Sequence, residues 1–65
     1  MEIAELTALM EAGTVHSFTA TFGNQPVGAR GTVTKVGAPL NPDVVWVRTL
    51  SGTTHNWDRH TMSVL

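Results

Sequence analysis

The stretch VHSFTATF, residues 15–22, carries the clearest strand pattern in the sequence. Its apolar and aromatic residues alternate with hydroxyl residues: His16, Phe18, Ala20 and Phe22 against Ser17, Thr19 and Thr21. Because successive side chains of a β-strand point to opposite faces, the alternation predicts a strand with one apolar face and one polar face. The rest of the fold is expected to cover the apolar face.

The chain beyond Gly13 repeats short strand patterns between glycine-containing turns. Further strands are predicted over residues 29–36, 44–50, 55–57 and 62–65, with turns or loops over 23–26, 37–43, 51–54 and 58–61. Gly28 and Gly31 interrupt the second of the five patterns, which predicts a bulge or a sharp bend there. Four or five short strands in so short a chain favour a small β-barrel over a two-sheet sandwich.

The N-terminal residues have a helical period instead. In residues 2–12, Ile3, Leu6, Leu9 and Met10 recur at the spacing of one helical face, which predicts a helix of about three turns. Gly13 would end it, because glycine readily adopts the left-handed conformation. A helix this short is not stable alone. The apolar stripe of Ile3, Leu6 and Met10 is therefore expected to dock either on the rest of the chain or on a second copy.

Size and composition limit how the fold can be stabilised. The chain has 65 residues and no cysteine, so a single domain over residues 1–65 is expected without disulfides or thiolate zinc sites. Self-association through the helix stripe, giving a homo-oligomer, or a partner protein is the expected source of extra stability.

The composition also predicts a location. The N-terminus carries glutamates where a signal peptide would carry basic residues. No segment approaches the ~20 apolar residues of a membrane-spanning helix. A cytoplasmic protein without a membrane partner is predicted.

The charge is small but unevenly distributed. The formal net charge is -1, a weak electrostatic signal for nucleic-acid binding. Three of the five acids lie within the first eleven residues, whereas all the basic residues follow later: Arg30, Lys35, Arg48 and Arg59. A protein partner is favoured, and nucleic-acid binding by these four residues is the alternative.

Potentially reactive groups are concentrated in residues 50–65 without the spacing of a catalytic or metal site. His55 and His60 would point about 140° apart on one helix, and a zinc site needs three or four converging ligands. Nucleophile motifs, phosphate-binding glycine loops and paired carboxylates are missing from the sequence. We therefore predict no enzymatic activity, no cofactor and no metal. Asp58 is expected to cap the turn that follows it, with Arg59 and His60 facing solvent.

A family resemblance begins at Gly31. The segment contains Gly31 and Val33, the apolar run VVWVRTL, a hairpin at Gly52, and then Trp57, DRHT and MSVL. In this order, residues 31–65 resemble the SH3-like small barrels, a group that includes Tudor and KOW domains. The resemblance implies a mainly β fold of about five strongly bent strands, with a tight helical turn before the last one.

One enzyme family in this group gives a further alternative. The segment ATFG at residues 20–23 and the hairpin, aromatic, turn and strand of the C-terminal part are similar to type II dihydrofolate reductases. In that family a Val-Gln-Ile-Tyr segment lines a pore shared by four subunits and binds folate and NADPH. The corresponding Thr54-His55-Asn56-Trp57 lacks the Gln and the Tyr. No active-site residue is carried over from the resemblance.

The two tryptophans suggest a binding surface. Trp46 lies between Val45 and Val47, so either the valines or Trp46 must point away from the core. Trp57 occupies a position that contributes to ligand grooves in SH3-like domains. The expected contact residues are Trp46, Arg48, Trp57, Arg59 and His60. The sequence thus predicts a non-catalytic protein-binding module, by analogy with phage and mobile-element proteins that inhibit or modulate a host complex.

Overall fold

A computed structural model describes residues 1–23 and 25–65 as one helix and one antiparallel sheet of five strands. The elements are α1 Ile3–Ala12, β1 His16–Phe22, β2 Gln25–Ala38, β3 Asn41–Thr49, β4 Thr54–Asp58 and β5 Met62–Val64. The strand order across the sheet is β4-β3-β2-β1-β5. The predicted mainly β fold with one N-terminal helix is confirmed.

The 14-residue strand β2 connects the two halves of the sheet. It pairs with β1 from Gln25 to Gly31 and with β3 from Gly31 to Ala38. Gly31 therefore lies in both ladders, and a Cβ there would lie 2.2 Å from the carbonyl oxygen of Arg48. Only glycine allows the two backbones to approach this closely.

Three details of the predicted strands and turns differ from the structure. The register shifts of β2 against β3 occur between Val33 and Lys35 and between Val36 and Ala38, so no bulge lies at Gly28 or Gly31. The alternative prediction, a sharp bend at these glycines, stays a prediction. The predicted loop over residues 37–43 is also too long, because β2 continues to Ala38 and β3 begins at Asn41. The predicted turn over 23–26 is shorter as well, since β2 begins at Gln25; Asn24 lies outside the described residues.

The core lies between α1 and the inner face of the sheet. Its buried members come from the helix and four of the strands: Leu6, Phe18, Ala20, Val33, Val45, Val47 and Met62. Phe18 and Ala20 confirm the predicted apolar face of β1, while the side chain of Phe22 lies outside the described residues. Val45 and Val47 are fully buried, which decides the open question for β3: Trp46 points away from the core.

The helix docks on its own chain. Leu6 is fully buried, Met10 packs against the core at its margin, and Ile3 remains 44% exposed. The side chain of Glu2 accepts a bond from the first turn while the amide of Glu2 donates to Glu5, forming a capping box. Gly13 ends the helix in the left-handed conformation, as predicted. Of the three residues predicted for self-association, only Ile3 keeps substantial access to a second copy.

Candidate binding surfaces

Trp46 lies half-buried on the side of β3 opposite the core. In the strand register it lies directly opposite Lys35 on β2 and Asn56 on β4. The ammonium of Lys35 lies 5.0 Å from the centroid of the indole ring. This cation–π contact is worth about 0.5–1 kcal/mol at an exposed site and holds the ring against the sheet.

Two arginines lie on the same side of the sheet as this tryptophan. Arg48 lies two residues beyond Trp46 on the same side of β3, opposite Thr32. Arg30 lies two residues before Thr32 on β2 and thus on the same side. Within residues 1–23 and 25–65, no carboxylate forms an ion pair with Arg30, Lys35 or Arg48. We call the surface formed by Arg30, Lys35, Trp46 and Arg48 the outer face.

Trp57 belongs to a different surface. It lies opposite Val45, on the core side of β4, and packs at the margin of the core. Its ring lines a cavity of about 330 Å³ between β4 and the first half of β2. The other walls include Val27, Gly28 and Ala29 on β2, together with His55 and Asn56 on β4.

Arg59 and His60 form a third group, centred on Asp43 at the start of β3. The Arg59 Nε donates to Asp43 Oδ1 at 2.7 Å, and the His60 Nε2 lies 3.3 Å from Asp43 Oδ2. The prediction that Arg59 faces solvent is wrong, because its side chain is only 20% exposed; that of His60 is 56% exposed. Through these two contacts, the carboxylate of Asp43 links the turn after β4 to the start of β3.

The same contacts alter the acidity of Asp43. The hydrogen bond from Arg59 favours the ionised carboxylate and lowers the pKa of Asp43 below its ordinary value, and the hydrogen bond from His60 acts in the same direction. Desolvation opposes the shift. Asp43 is therefore the ionised partner of Arg59 at neutral pH.

Asp58 has the predicted capping role. Its Oδ1 accepts the backbone N–H of His60 at 2.8 Å, while its carbonyl oxygen accepts the N–H of Thr61 at 3.2 Å. The carboxylate thus satisfies an amide of the turn that would otherwise lack a partner. This turn orients β5 for pairing with β1.

The histidines do not converge. His16 bonds to Thr14 through its Nε2 at 2.7 Å and lies edge-on to the ring of Phe18. Across the described residues, no group of three metal-binding side chains comes together. None of the helices described there has the length and apolar composition needed to cross a membrane.

The five residues predicted to form one contact surface are therefore distributed over three places. Trp46 and Arg48 share the outer face, Trp57 lines the cavity, and Arg59 and His60 contact Asp43. Sequence reasoning missed the cavity and the Arg59–Asp43 pair. The only sequence signal for the pair was an unassigned acid in one loop and a basic residue in another.

Comparisons with protein-family models, with curated proteins and with solved structures find no match to this chain.

Proposed function

We propose that this chain is an SH3-like small barrel that acts without catalysis as a protein-binding module, with the outer face as its contact surface. The strand order β4-β3-β2-β1-β5 and the long β2 shared by two ladders support the barrel. A bend of β2 at Gly31 that curves the sheet into a partly open barrel, with β4 at an open edge, is part of this proposal.

The observation that carries the function is an outward tryptophan among cations that have no ion-pair partner in the described residues. Val45 and Val47 occupy the core side of β3, so Trp46 lies on the other side, half-buried and in contact with Lys35, and the rest of its ring is available for other contacts. Tryptophan and arginine are enriched among the residues that dominate binding energy in protein interfaces. Arg30, Lys35 and Arg48 give the surface a positive charge, and the partner we propose presents an acidic patch.

The test compares binding by two matched variants. Trp46→Ala removes the anchor of the outer face, while Leu40→Ala truncates an equally apolar side chain that is 101% exposed in the turn between β2 and β3. Immobilised wild type and both variants are incubated with lysate of the source organism, and the captured proteins are quantified. We expect one protein to be retained by the wild type and Leu40→Ala and to be lost by Trp46→Ala.

An unchanged capture profile for Trp46→Ala would contradict the proposal. Circular dichroism of each variant checks the fold first. If the captured protein belongs to a host complex whose activity falls or changes when this chain is added, the predicted role as a phage-type modulator or inhibitor gains support.

Nucleic-acid binding is a second candidate, because three of the four basic residues share the outer face. If these three cations each contact one phosphate, affinity should fall about 20-fold for single strands and about 40-fold for duplex DNA between 50 and 200 mM salt. Fluorescence anisotropy with labelled oligonucleotides measures this slope. Absence of binding at 50 mM salt would eliminate the candidate.

Self-association remains a further proposal, now centred on Ile3. The exposed part of Ile3 could contact a second copy without unpacking the core, whereas contact through Leu6 would require it. Light scattering over a hundredfold range of concentration would measure the stoichiometry. A monomer throughout that range would contradict the homo-oligomer.

A further inference from the structure

The backbone of β4 has one side without a neighbouring strand. The N–H of Thr49 donates to the carbonyl of Thr53 at 2.8 Å, and the N–H of Arg59 donates to the carbonyl of Asp43 at 3.0 Å. In an antiparallel ladder the hydrogen-bonded residues alternate, so the backbone groups of His55 and Trp57 turn towards β3. Those of Thr54 and Asn56 turn away from it, at the edge of the described sheet.

The facing segment of β2 is open in the same way. The carbonyl of Arg30 accepts the N–H of Leu50 at 3.2 Å, so the backbone of Arg30 turns to the side of β3. The backbone N–H and carbonyl of Gly28, two residues earlier, point to the same side. Because β3 ends at Thr49, no strand of the described chain pairs with these two groups. Gly28 and Asn56 are thus opposite walls of the cavity, each with free backbone donors and acceptors.

The remaining walls are mainly apolar, with His55, Thr61 and one carboxylate. Trp57, Val27 and Ala29 provide an apolar surface, and the volume of about 330 Å³ lies at the lower end of the range for ligand pockets. Among the lining residues, Asp58 is the only carboxylate and His55 is the only basic side chain. One carboxylate oxygen of Asp58 accepts the His60 amide, which leaves the other available to a ligand.

We propose that this cavity binds an extended peptide segment of a partner protein, which adds to β4 as a further strand. The peptide backbone bonds to Thr54 and Asn56, one apolar side chain enters the cavity against Trp57, and a lysine or arginine lies beside Asp58. The site is separate from the outer face and does not depend on the function proposed for it.

The backbone geometry selects a peptide over other occupants. The free donor and acceptor pairs of Thr54 and Asn56 repeat every two residues, about 7 Å apart along the strand. An extended chain repeats its own donors and acceptors at the same spacing, as in other cases of strand addition to a sheet edge. A compact small molecule would leave one of the pairs unsatisfied, and an acidic segment would be repelled by Asp58.

The test uses a display library of random nine-residue peptides selected on the immobilised full chain. Two variants of one residue then separate backbone from side-chain binding. Asn56→Pro removes the outward N–H, which proline at a strand edge tolerates because no ladder bond is lost, and Asn56→Ala keeps it. The selected peptides are also synthesised with one methylated backbone nitrogen at a time.

We expect selected peptides with alternating apolar residues and a lysine or arginine. Affinity should fall at least about tenfold for Asn56→Pro, and also for peptides methylated at the central nitrogens, but less than about threefold for Asn56→Ala. Peptide titration should shift the NMR signals of Gly28, Asn56 and the Trp57 indole.

Several results would overturn the proposal. These are a selection without binders, affinity that survives methylation of every backbone nitrogen, or peptide shifts confined to Lys35, Trp46 and Arg48. Concentration-dependent pairing of β4 between two copies, seen without peptide and lost in Asn56→Pro, would assign the edge to a second copy. The methylated peptides decide the matter even if Asn56→Pro fails to fold.

Discussion

Substitution of Gly31 by alanine tests the packing that shapes the sheet. The added Cβ would lie 2.2 Å from the carbonyl oxygen of Arg48, 2.8 Å from its carbonyl carbon and 2.9 Å from the Cα of Thr49. Since carbon and oxygen atoms in contact are rarely closer than about 3.3 Å, the two strands would have to separate by about 1 Å. Gly31 pairs with His16 on one side and Thr49 on the other, so neither neighbour can move freely.

The cost follows from two contributions. Overpacking of this kind costs about 1–3 kcal/mol, and each ladder hydrogen bond that stretches adds about 1 kcal/mol. With one such bond stretched, a loss of about 2–4 kcal/mol is expected, against a total stability of about 3–10 kcal/mol for a chain of this length. With a urea dependence of about 1 kcal/mol per molar, the unfolding midpoint should fall by about 3 M.

Gly28→Ala is the matched control. A Cβ at Gly28 would meet only the carbonyl oxygen of Phe18, at 3.7 Å, which is ordinary contact. We expect a change within about 1 kcal/mol, since removal of a glycine also restricts the unfolded chain. Urea unfolding followed by tryptophan fluorescence measures all three proteins. A midpoint for Gly31→Ala within 0.5 M of the Gly28→Ala value would refute the close-approach argument.

The other contacts make three further predictions. The pKa of Asp43 is lower in the folded than in the unfolded chain, so the ionised carboxylate stabilises the fold above the unfolded pKa and this contribution is lost as the pH falls through the folded pKa. The difference in unfolding free energy between wild type and Asp43→Asn should therefore be larger at pH 7 than at pH 2. An equal difference at the two pH values would contradict the ion pair. Asp58→Ala should cost about 1 kcal/mol through loss of the cap, whereas Asp58→Asn should recover most of it in the same urea assay. Leu6→Ala should cost about 2–5 kcal/mol without changing the molecular mass in light scattering, and a dissociated oligomer of unchanged stability would contradict the burial of Leu6.

The local patterns of the sequence were sufficient for the elements of the fold. The alternation in residues 15–22 identified β1 and its inner face, and the apolar stripe with Gly13 identified the helix and its end. The loop over 37–43 was predicted too long because its prolines were taken to end both strands. Pro39 does lie in the turn, but Pro42 lies in β3 at a register shift, where a missing N–H costs no ladder bond.

The candidate sites depended on contacts that no local pattern contains. Both faces of β3 are apolar in sequence, so only the position of the helix and of Phe18 decides that Val45 and Val47 are inside and Trp46 outside. Arg59 reaches Asp43 across 16 positions of sequence. The cavity beside Trp57 is lined by Val27, Gly28 and Ala29, in the part of β2 that the sequence pattern did not predict as strand or that lies beside its glycines.

The most direct test of the outer face uses the chain labelled with 5-fluorotryptophan, titrated with the purified protein that Trp46→Ala fails to capture. The chain has two tryptophans, so the fluorine spectrum has two signals, which Trp46→Phe and Trp57→Phe assign. Binding at the outer face should shift or broaden the signal of Trp46 and leave that of Trp57 unchanged. A complex in which only the Trp57 signal moves, or neither does, would contradict it.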